Sequence, residues 1–383
     1  MNKWRIVKLK EVAKLDRRSV SPEKIKSGTC YLGLENIESG GRIIEYQIVK
    51  NRELKSSKFR FTDDHILYGK LRPYLAKISL PDFHGVCSTD IIPILPGTGI
   101  IKEYLFYYLK QGKMVDYANS RSSGANLPRL SPKELANFEI PLPPLEEQKR
   151  IARILDTADE IRAKRRQSIG ELDRLAQSVF LDMFGDPVTN PKGWDYDDLG
   201  NICDVRDGTH DSPKYVHDGY PLLTSKNFKN GIIDFNSANK ISKEDFFKIN
   251  KRSKVDIGDI VMPMIGTIGN PVIVDIEPDF AIKNVALIKF NNKLLLNIFI
   301  LYLLRSHYFQ YVTSNSNRGG TQKFIALRDI RGLQIPIPPI EILESFKKVI
   351  QIIDDQKKLN HQHLTELDNL FASLQSRAFN GTL

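Results

Sequence analysis

An internal repeat at a constant offset is the feature that most constrains how this chain can fold. The segment FEIPLPPLEE (138–147) matches LQIPIPPIEI (333–342) at an offset of 195 residues. The same offset aligns ELDRLAQS with ELDNLFAS, and it aligns Phe184 with Phe379. It holds over about 45 residues without a gap, which indicates duplication of a structural unit. The chain is therefore predicted to contain two copies of a globular part followed by a long helix.

The globular parts match each other more weakly than the helices do. The aligned pairs are Trp4 with Trp194, Asn36 with Asn227, Asp64 with Asp259, and Asp90 with Asn284. Because the helices stay similar while the globular parts diverge, we expect two modules that perform the same task on different targets.

The globular parts have the sequence pattern of mixed helix and sheet. Short runs rich in β-branched residues, bounded by Gly, Asp or Pro, predict strands at Gly41–Val49, Asp259–Met264 and Pro271–Ile276. Length and periodicity predict helices at Lys102–Gly112 and Leu294–Ser306. The fold class is therefore predicted to be α+β, with two globular α/β parts.

A long heptad pattern follows each proline pair, Pro143-Pro144 and Pro338-Pro339. Apolar residues recur at steps of three and four at 151, 155, 158, 169, 172, 176, 179 and 183, and again at 346, 350, 353, 364, 367, 371, 374 and 378. Gly185 and Asn380-Gly381 are the predicted stop signals. Each helix of about 40 residues should span roughly 60 Å.

Polar residues interrupt both heptad patterns near the helix centres. Arg162 and Arg165 occupy such positions in the first helix, and Lys357 and Asn360 occupy the equivalent ones in the second. The polar layers are predicted to meet, and connectivity favours an antiparallel helix pair. The layer is predicted to set the register of the pair or to contact a partner subunit.

These patterns divide the chain into four segments. Residues 1–143 and 186–338 are the predicted globular parts, and residues 144–185 and 339–383 are the predicted helical spacers.

The charge balance points to a polyanionic partner. The net charge is +10 and the sequence pI is about 9.2, and phosphates attract a surplus of Lys and Arg of this kind. Cys30, Cys87 and Cys203 are far apart in sequence, which argues against a disulfide framework or a zinc site and favours a reducing compartment. The N-terminal segment lacks the apolar core of a signal peptide, and no apolar run reaches about 18 residues. We therefore expect a cytoplasmic protein without a membrane partner.

Motifs for catalysis are not found in the sequence. There is no GxxxxGK[ST] phosphate loop, and the glycines at 258, 266 and 269 lack GxGxxG spacing. The segments IPLPPLE and IPIPPIE lack the polar residue that precedes the prolines of an adenine methyltransferase motif. His361 and His363 do not share a helix face for a metal. The chain is therefore predicted to have no catalytic residue, bound cofactor or metal of its own.

The chain resembles the specificity subunit of type I restriction–modification systems. The resemblance rests on YLGLENIESGGRI (31–43), ILYGKLRPYLAK (66–77), STDIIPI (88–94), IPLPPLEEQKRIARIL (140–155), DGTHDSPKYVHDGYPLLTSKN (207–227) and GDIVMPMIGTIGN (258–270). Together these segments are spread over nearly the whole chain. The second copy departs from the first at PPIEILESFKK, where the Glu147-Gln148 pair has no counterpart.

The resemblance implies a role and a set of partners. The globular parts would be target-recognition domains that each read half of a split double-stranded DNA sequence, and the helices would act as a ruler. Two modification subunits would methylate adenine with S-adenosylmethionine, and restriction subunits would use ATP and Mg to translocate and cut DNA. Residues expected to face these partners are Glu146, Glu147, Arg150, Arg162, Arg165 and Lys357.

Polar and basic loops of the globular parts are the candidate DNA contacts. In the first copy they are Lys70, Arg72, Tyr74, Lys77, Arg121, Ser123 and Asn126. In the second they are Thr209, His210, Lys214, Lys226, Asn227, Arg318, Thr321, Gln322 and Lys323. Two alternatives remain open: a protein-binding structural adaptor, and a stand-alone DNA-modifying enzyme.

Overall fold

The chain forms two compact units that each draw on both long helices. The computed structural model describes residues 4–50, 53–229, 231–266, 268–291, 295–315 and 324–383. The first unit comprises Met1–Gln167 and His361–Leu383, and the second comprises Ser168–Asn360. Each unit therefore contains one globular part with a segment of each helix.

The first globular part alternates short strands with short helices and ends in a long helix. Its elements are β1 (Arg5–Lys8), α1 (Leu9–Val12), β2 (Ala13–Leu15), β3 (Ser19–Val20), β4 (Cys30–Leu32), β5 (Gln47–Ile48), β6 (Lys58–Phe61), β7 (Ile66–Gly69), β8 (Ile78–Ser79), β9 (Gly85–Cys87), β10 (Ile91–Pro96), α2 (Lys102–Leu109), α3 (Gly112–Ser120), α4 (Pro132–Ala136), β11 (Glu139–Leu142) and α5 (Leu145–Phe184).

The second globular part follows the same order with insertions. Its elements are β12 (Tyr196–Asp198), α6 (Leu199–Ile202), β13 (Asp204–Asp207), β14 (Tyr215–Val216), β15 (Tyr220–Leu223), β16 (Phe228–Lys229), β17 (Ile232–Ile233), β18 (Asn239–Ile241), α7 (Lys243–Ser253), β19 (Ile260–Pro263), β20 (Val272–Ile273), β21 (Ala281–Ile282), β22 (Val285–Lys289), α8 (Leu295–Arg305), α9 (His307–Asn315), α10 (Leu327–Arg331), β23 (Gln334–Pro336) and α11 (Ile340–Asn380).

The sheets confirm the duplication. In the first unit β1 pairs with β11, and a four-stranded sheet has the order β2-β10-β7-β8. In the second unit β12 pairs with β23, and the four-stranded sheet has the order β13-β22-β19-β20. Each unit also has an outer sheet with one parallel pair, β4 with β9 and β15 with β21. The repeat in sequence is therefore a repeat in topology.

The long helices run antiparallel within each unit. In the first unit Arg150 donates to the carbonyl of Leu383, and Arg162 donates to Asp368. Residue numbers therefore rise along one helix as they fall along the other. The prediction of an antiparallel pair is confirmed. Within the units, Arg162 contacts Asp368 and Lys357 contacts Asp173. The sequence analysis did not predict these aspartates. Their carboxylates offset the positive charge of the two side chains.

The C-terminal end of each long helix packs on the globular part of the other copy. Phe379 of α11 lies 5.2 Å from Tyr104 of α2, and Phe184 of α5 lies 4.8 Å from Phe299 of α8, measured between ring centroids. All four side chains are buried, and burying one such side chain stabilises a fold by roughly 1.5–3 kcal/mol. These aromatic contacts anchor the helix ends in the two cores.

Most predicted elements are present with small changes in their ends. Both long helices stop just before a glycine with left-handed backbone, Gly185 with φ 76° and Gly381 with φ 72°. The strand predicted at Gly41–Val49 is shorter, reaching only Gln47–Ile48. The chain turns at Gly40 and Gly41, whose φ angles of 87° and 93° are outside the range of a β-strand, so a regular strand cannot begin there.

Candidate nucleic-acid interface

The two basic loops predicted in the first unit lie side by side. The backbone N–H of Arg72 donates to the carbonyl of Pro128 at 2.7 Å, and the N–H of Leu130 donates to the carbonyl of Lys70 at 2.9 Å. These bonds join the run that follows β7 to the Gly-containing loop that follows α3. The residues joined in this way are 56 and 60 positions apart in sequence, and the two segments form one surface, which we call the first-unit loop pair (70–77 and 121–129).

Asp90 lies between the cations of the first-unit loop pair. Its Oδ1 is 3.5 Å from Lys70 Nζ and 3.4 Å from Arg129 Nε. Asp90 directly precedes β10, the strand between β2 and β7 in its sheet. One carboxylate shared by two cations orients both while leaving a net positive charge, as a phosphate-binding surface requires. Sequence comparison aligned Asp90 with Asn284 but did not assign it this role.

A strained turn displays an aromatic ring on the same loop pair. The 3₁₀ turn Pro73–Leu75 is flanked by Arg72 with φ 51° and Ala76 with φ 48°, both left-handed and neither glycine. Such residues cost about 1–3 kcal/mol each and persist where the surroundings hold them. Tyr74 at the turn is 51% exposed. The strained turn therefore holds the ring of Tyr74 in solvent, two residues after Arg72.

The Gly-containing loop is a tight, exposed hairpin. Ser123 and Arg129 exchange backbone hydrogen bonds of 3.1 and 2.9 Å, and Gly124 between them has φ 109°. Ser123 and Asn126 are exposed. The guanidinium of Arg121, also exposed, lies 5.2 Å over the ring of Tyr117. The backbone holds this loop in one shape while its polar side chains remain available.

Two predicted contact residues have structural partners instead. Lys77 is half-buried and its Nζ donates to the carbonyl of Leu34 at 2.7 Å. Asn227 is buried, and its Oδ1 accepts from the N–H of Thr224 at 2.8 Å. Its counterpart Asn36 is buried in the same kind of turn. The side chains of Asn36 and Asn227 accept hydrogen bonds from backbone groups of their own turns, and neither side chain faces the surface.

In the second unit a histidine is held at the equivalent place. His210 Nδ1 lies 2.7 Å from Asn284 Oδ1, and Nε2 lies 2.9 Å from Asp207 Oδ2. The hydrogen bond with Asn284 raises the pKa of His210 above its usual value, and the hydrogen bond and charge of Asp207 add to the rise. Burial and the positive charge of Arg252 act in the opposite direction but do not cancel it. Arg252 also donates to Asp207. The sequence analysis named His210 but missed Asp207, Arg252 and the role of Asn284, because these residues are distant in the chain.

The remaining predicted residues of the second unit fall into two groups. Thr209 is half-buried and is fixed by its backbone bonds to Ile282 and Asn284, whereas Lys214 and Lys226 are exposed. The prediction for Arg318, Thr321, Gln322 and Lys323 lies outside the described residues.

The candidate partner residues occupy the long helices. Glu146 pairs with Lys149, and Glu147 pairs with Arg150, each at 2.8 Å on the first turns of α5. Arg162 pairs with Asp159 and Asp368, Arg165 is half-buried, and Lys357 pairs with Asp173. The departure at Glu147-Gln148 has a structural explanation. Gln148 is buried and accepts from the N–H of Ile101 at 2.8 Å, where the second copy has the apolar Leu343.

In the part of the chain that the structure describes, no cluster of three or more His, Cys, Asp or Glu side chains is arranged to hold a metal ion. Among the same residues, no helix combines the length and apolar character needed to cross a bilayer.

The fold defines a protein of two α+β units, each containing an antiparallel pair of segments from two long helices. A family profile described as "Type I restriction modification DNA specificity domain" matches residues 1–172 and 191–369. The matches cover most of the chain, and the chain therefore belongs to this family.

Relatives and solved structures show the extent of the likeness. The chain is 30% identical over 193 residues to the type I restriction enzyme EcoDI specificity subunit of Escherichia coli, covering 49% of this chain and 43% of that protein. It is 28% identical over 311 residues to the Escherichia coli EcoBI specificity subunit, covering 73% of this chain and 65% of that protein. The chain thus matches less than two thirds of the length of these relatives. A chain from a solved structure of "complex assembly and conformational transition of the type I R-M system" shares the fold, with a TM-score of 0.54 and 21% identity over 99% of this chain and 98% of that one.

Proposed function

We propose that this chain is the sequence-specific DNA-binding subunit of a type I restriction–modification complex, and that each unit reads one half of a split duplex target. Membership of the family supports the role. The observation that carries the proposal is the placement of cations around two corresponding residues. One directly precedes β10 in the first unit, and the other directly precedes β22 in the second. Asp90 orients Lys70 and Arg129 in the first unit, and Asn284 orients His210 in the second.

The proposed contact surfaces combine charge, exposed aromatic area and rigid backbone. In the first unit they comprise Lys70, Arg72, Tyr74, Arg121, Ser123, Asn126 and Arg129. In the second unit they comprise Thr209, His210, Lys214 and Lys226, with Arg318, Thr321, Gln322 and Lys323 retained from the sequence. Cations bind phosphates and fix the register on the duplex, whereas side chains that reach base edges select the sequence. Divergence of these loops between the copies would let the halves of the target differ.

In this proposal residues 1–143 and 186–338 are target-recognition domains, and the helices set the distance between them. The helices have 40 and 41 residues, which corresponds to about 60 Å at 1.5 Å per residue. Half-sites one turn of DNA apart lie roughly 34–36 Å from each other. Helices of this length are sufficient to hold two readers at such a separation, so the target would have a spacer of fixed length.

The chemistry of the complex belongs to partner subunits in this proposal. Two modification subunits would bind S-adenosylmethionine and methylate adenine, and restriction subunits would use ATP and Mg. The present chain would supply recognition and a scaffold, without a catalytic residue, in the cytoplasm. Glu146, Glu147 and Arg150 at the start of α5, with Arg162, Arg165 and Lys357 further along the helices, are the proposed scaffold contacts.

Duplex binding by the full chain, with its modification subunits, tests the proposal. Fluorescence anisotropy of a labelled duplex is measured from 50 to 300 mM salt, with a random-sequence duplex as competitor. We expect affinity to fall steeply and linearly on logarithmic axes, since counterions are released as phosphates are neutralised. Binding that is absent, or that does not depend on salt, would contradict the proposal.

A further inference from the structure

The loop that carries His210 is fixed to the unit at its base. Gly208 begins the loop, and an added Cβ there would lie 2.2 Å from the carbonyl of Ile282, so the backbones touch. The N–H of Thr209 donates to Ile282, and the N–H of Asn284 donates to Thr209, at 3.0 and 3.1 Å. Asn284 itself has φ 54°. His210 therefore projects from a rigid base rather than from a flexible loop.

Both ring nitrogens of His210 face acceptors. The side-chain oxygen of Asn284 and the carboxylate of Asp207 accept hydrogen bonds, and an ionised carboxylate cannot donate one. A neutral imidazole has one N–H and could satisfy only one of these partners. An imidazolium has an N–H on each nitrogen and matches both contacts, which agrees with the raised pKa of His210.

Charged groups of both signs surround this ring. Asp207, whose side chain is only 7% exposed, lies at the end of β13 and is the carboxylate facing the imidazole. Arg252, at the end of α7, is the cation that shares Asp207. Lys283, next to Asn284, is held by Ser212 at 2.6 Å. With one carboxylate against an imidazolium and a guanidinium, the cluster has a net positive charge on the outside of the unit.

In the first unit the histidine beside the carboxylate that follows β2, His65 next to Asp16, is buried, and the surface cluster of this unit contains no histidine among the described residues. Its cluster consists of Asp90, Lys70 and Arg129. Lys and Arg keep their charge across the neutral pH range, whereas histidine changes charge within it. The two units therefore present surfaces of similar sign with different responses to pH.

We propose that His210 is a positioning residue for DNA binding by the second unit, and that its loss of a proton weakens that unit's half-site alone. The proposal rests on the proposed function, because it assigns regulation to the same surface. The imidazolium draws Asp207 and Asn284 together beneath the 209–214 loop and adds one positive charge to the surface. Deprotonation removes the charge and breaks one of the two contacts.

The direction of the pH effect follows from the raised pKa of His210. Its usual value is 6.5 and the folded value is higher. The positive charge of the cluster is present at pH values below the raised pKa of His210 and is lost as pH rises through it. Second-half-site binding should decline as pH rises above 6.5, while first-half-site binding should not.

The test compares two duplexes bound by the full chain in its complex with modification subunits. Each duplex keeps one half-site, identified by mapping methylated adenines, and carries a scrambled sequence in place of the other. For the wild-type chain we expect affinity for the second-half-site duplex to fall about fivefold from pH 6.0 to pH 8.5, the size of one charge-assisted contact. The His210→Gln variant should bind this duplex about fivefold more weakly at pH 6.0, with a flat pH profile and a salt slope smaller by about one.

His217 offers a matched control on the same segment. It is 98% exposed, and its ion-pair partner is the neighbouring Asp218. The His217→Gln variant should keep the wild-type pH profile. A wild-type chain that binds both duplexes in a salt-dependent manner, but with a pH profile shared by His210→Gln, overturns the inference and leaves the proposed function standing. Loss of salt-dependent binding to every duplex overturns the proposed function itself.

A measurement on the wild-type chain keeps the inference testable if the variant does not fold. Nitrogen-15 chemical shifts of the histidine rings report directly whether each nitrogen carries a proton. We expect His210 to show two protonated nitrogens at pH 6.5. A neutral single tautomer at that pH would overturn the inference.

Discussion

Arg162 and Asp368 join the two long helices of the first unit through a 2.6 Å hydrogen bond between Nε and Oδ1. In the second unit Lys357 Nζ and Asp173 Oδ1 are also 2.6 Å apart. Each residue of one pair lies 195 positions from its counterpart in the other. Both units thus contain a cation paired with a carboxylate across the two helices. The cation is on α5 in the first unit and on α11 in the second.

Removing the carboxylate should weaken the helix pair of the first unit. Arg162 is only 17% exposed and also lies 4.2 Å over the ring of Phe371. We expect Asp368→Asn to reduce the free energy of unfolding by about 1 kcal/mol, a modest value because Asp368 is itself 43% exposed and Asp159 remains as a partner. Urea denaturation followed by circular dichroism measures the change.

The exposed pair Lys164–Glu160 on the same helix provides a control. Glu160→Gln should leave the free energy of unfolding unchanged within the error of the measurement, as fully exposed surface pairs contribute little. If Asp368→Asn had no larger effect than Glu160→Gln, the inter-helix pair would not stabilise the unit.

Gln148 should be essential to the first unit although its counterpart is Leu343. Its side chain is 1% exposed; Oε1 accepts from Ile101 N–H, and Nε2 donates to the carbonyls of Gly99 and Pro143. Gln148→Leu leaves these backbone groups without partners, and we expect a loss of about 2–3 kcal/mol of unfolding free energy.

The control for Gln148→Leu is the same substitution at an exposed helical glutamine. Gln351 is exposed on α11, and Gln351→Leu should have little effect on urea denaturation. Equal stability of the Gln148→Leu variant and the wild-type chain would show that the three hydrogen bonds are dispensable.

These two sites show how far the sequence could predict the structure. The offset of 195 residues predicted the duplication, the helix pair and its polar positions, since periodic patterns depend on local spacing. The offset could not predict that Asp368 pairs with Arg162, or that Gln148 hydrogen-bonds to the backbone of Gly99 and Ile101. These partners are distant in sequence and come into contact only after folding. The loops at 70–77 and 121–129 were both predicted. Their contact through Asp90, which pairs with Lys70 and Arg129, depends on strand order, which one sequence does not reveal.

Asp16 should make the first unit more stable at neutral than at acidic pH. Burial acts to raise its pKa, but hydrogen bonds from Arg18 and His65 and the charges of Arg18 and Lys14 lower it below 3.8 overall. A lowered folded pKa contributes stability that is present above pH 3.8 and lost as pH falls through the folded value. Asp16→Asn should therefore be destabilising at pH 7, and the difference from wild type should shrink as pH approaches 3 in urea titrations. A difference that is the same at both pH values would contradict this.

Arg129 should contribute to affinity without selecting sequence. Its side chain is 49% exposed beside Asp90 on the first-unit loop pair. We expect Arg129→Ala to weaken binding to specific and random duplexes alike and to reduce the salt slope by about one. Lys164→Ala, which removes an exposed cation from the helix, should leave the slope unchanged. A sequence-dependent loss, or an unchanged slope for Arg129→Ala, would contradict a phosphate contact.

The central claim is that the duplicated units read two halves of one DNA target. Mapping methylated adenines across the genome of cells that carry this chain with its modification subunits tests it most directly. We predict a motif of two short specific blocks separated by a spacer of fixed length and unspecified sequence, about one turn of DNA between block centres. A methylated motif that is continuous, or blocks whose spacing varies from site to site, would contradict the claim.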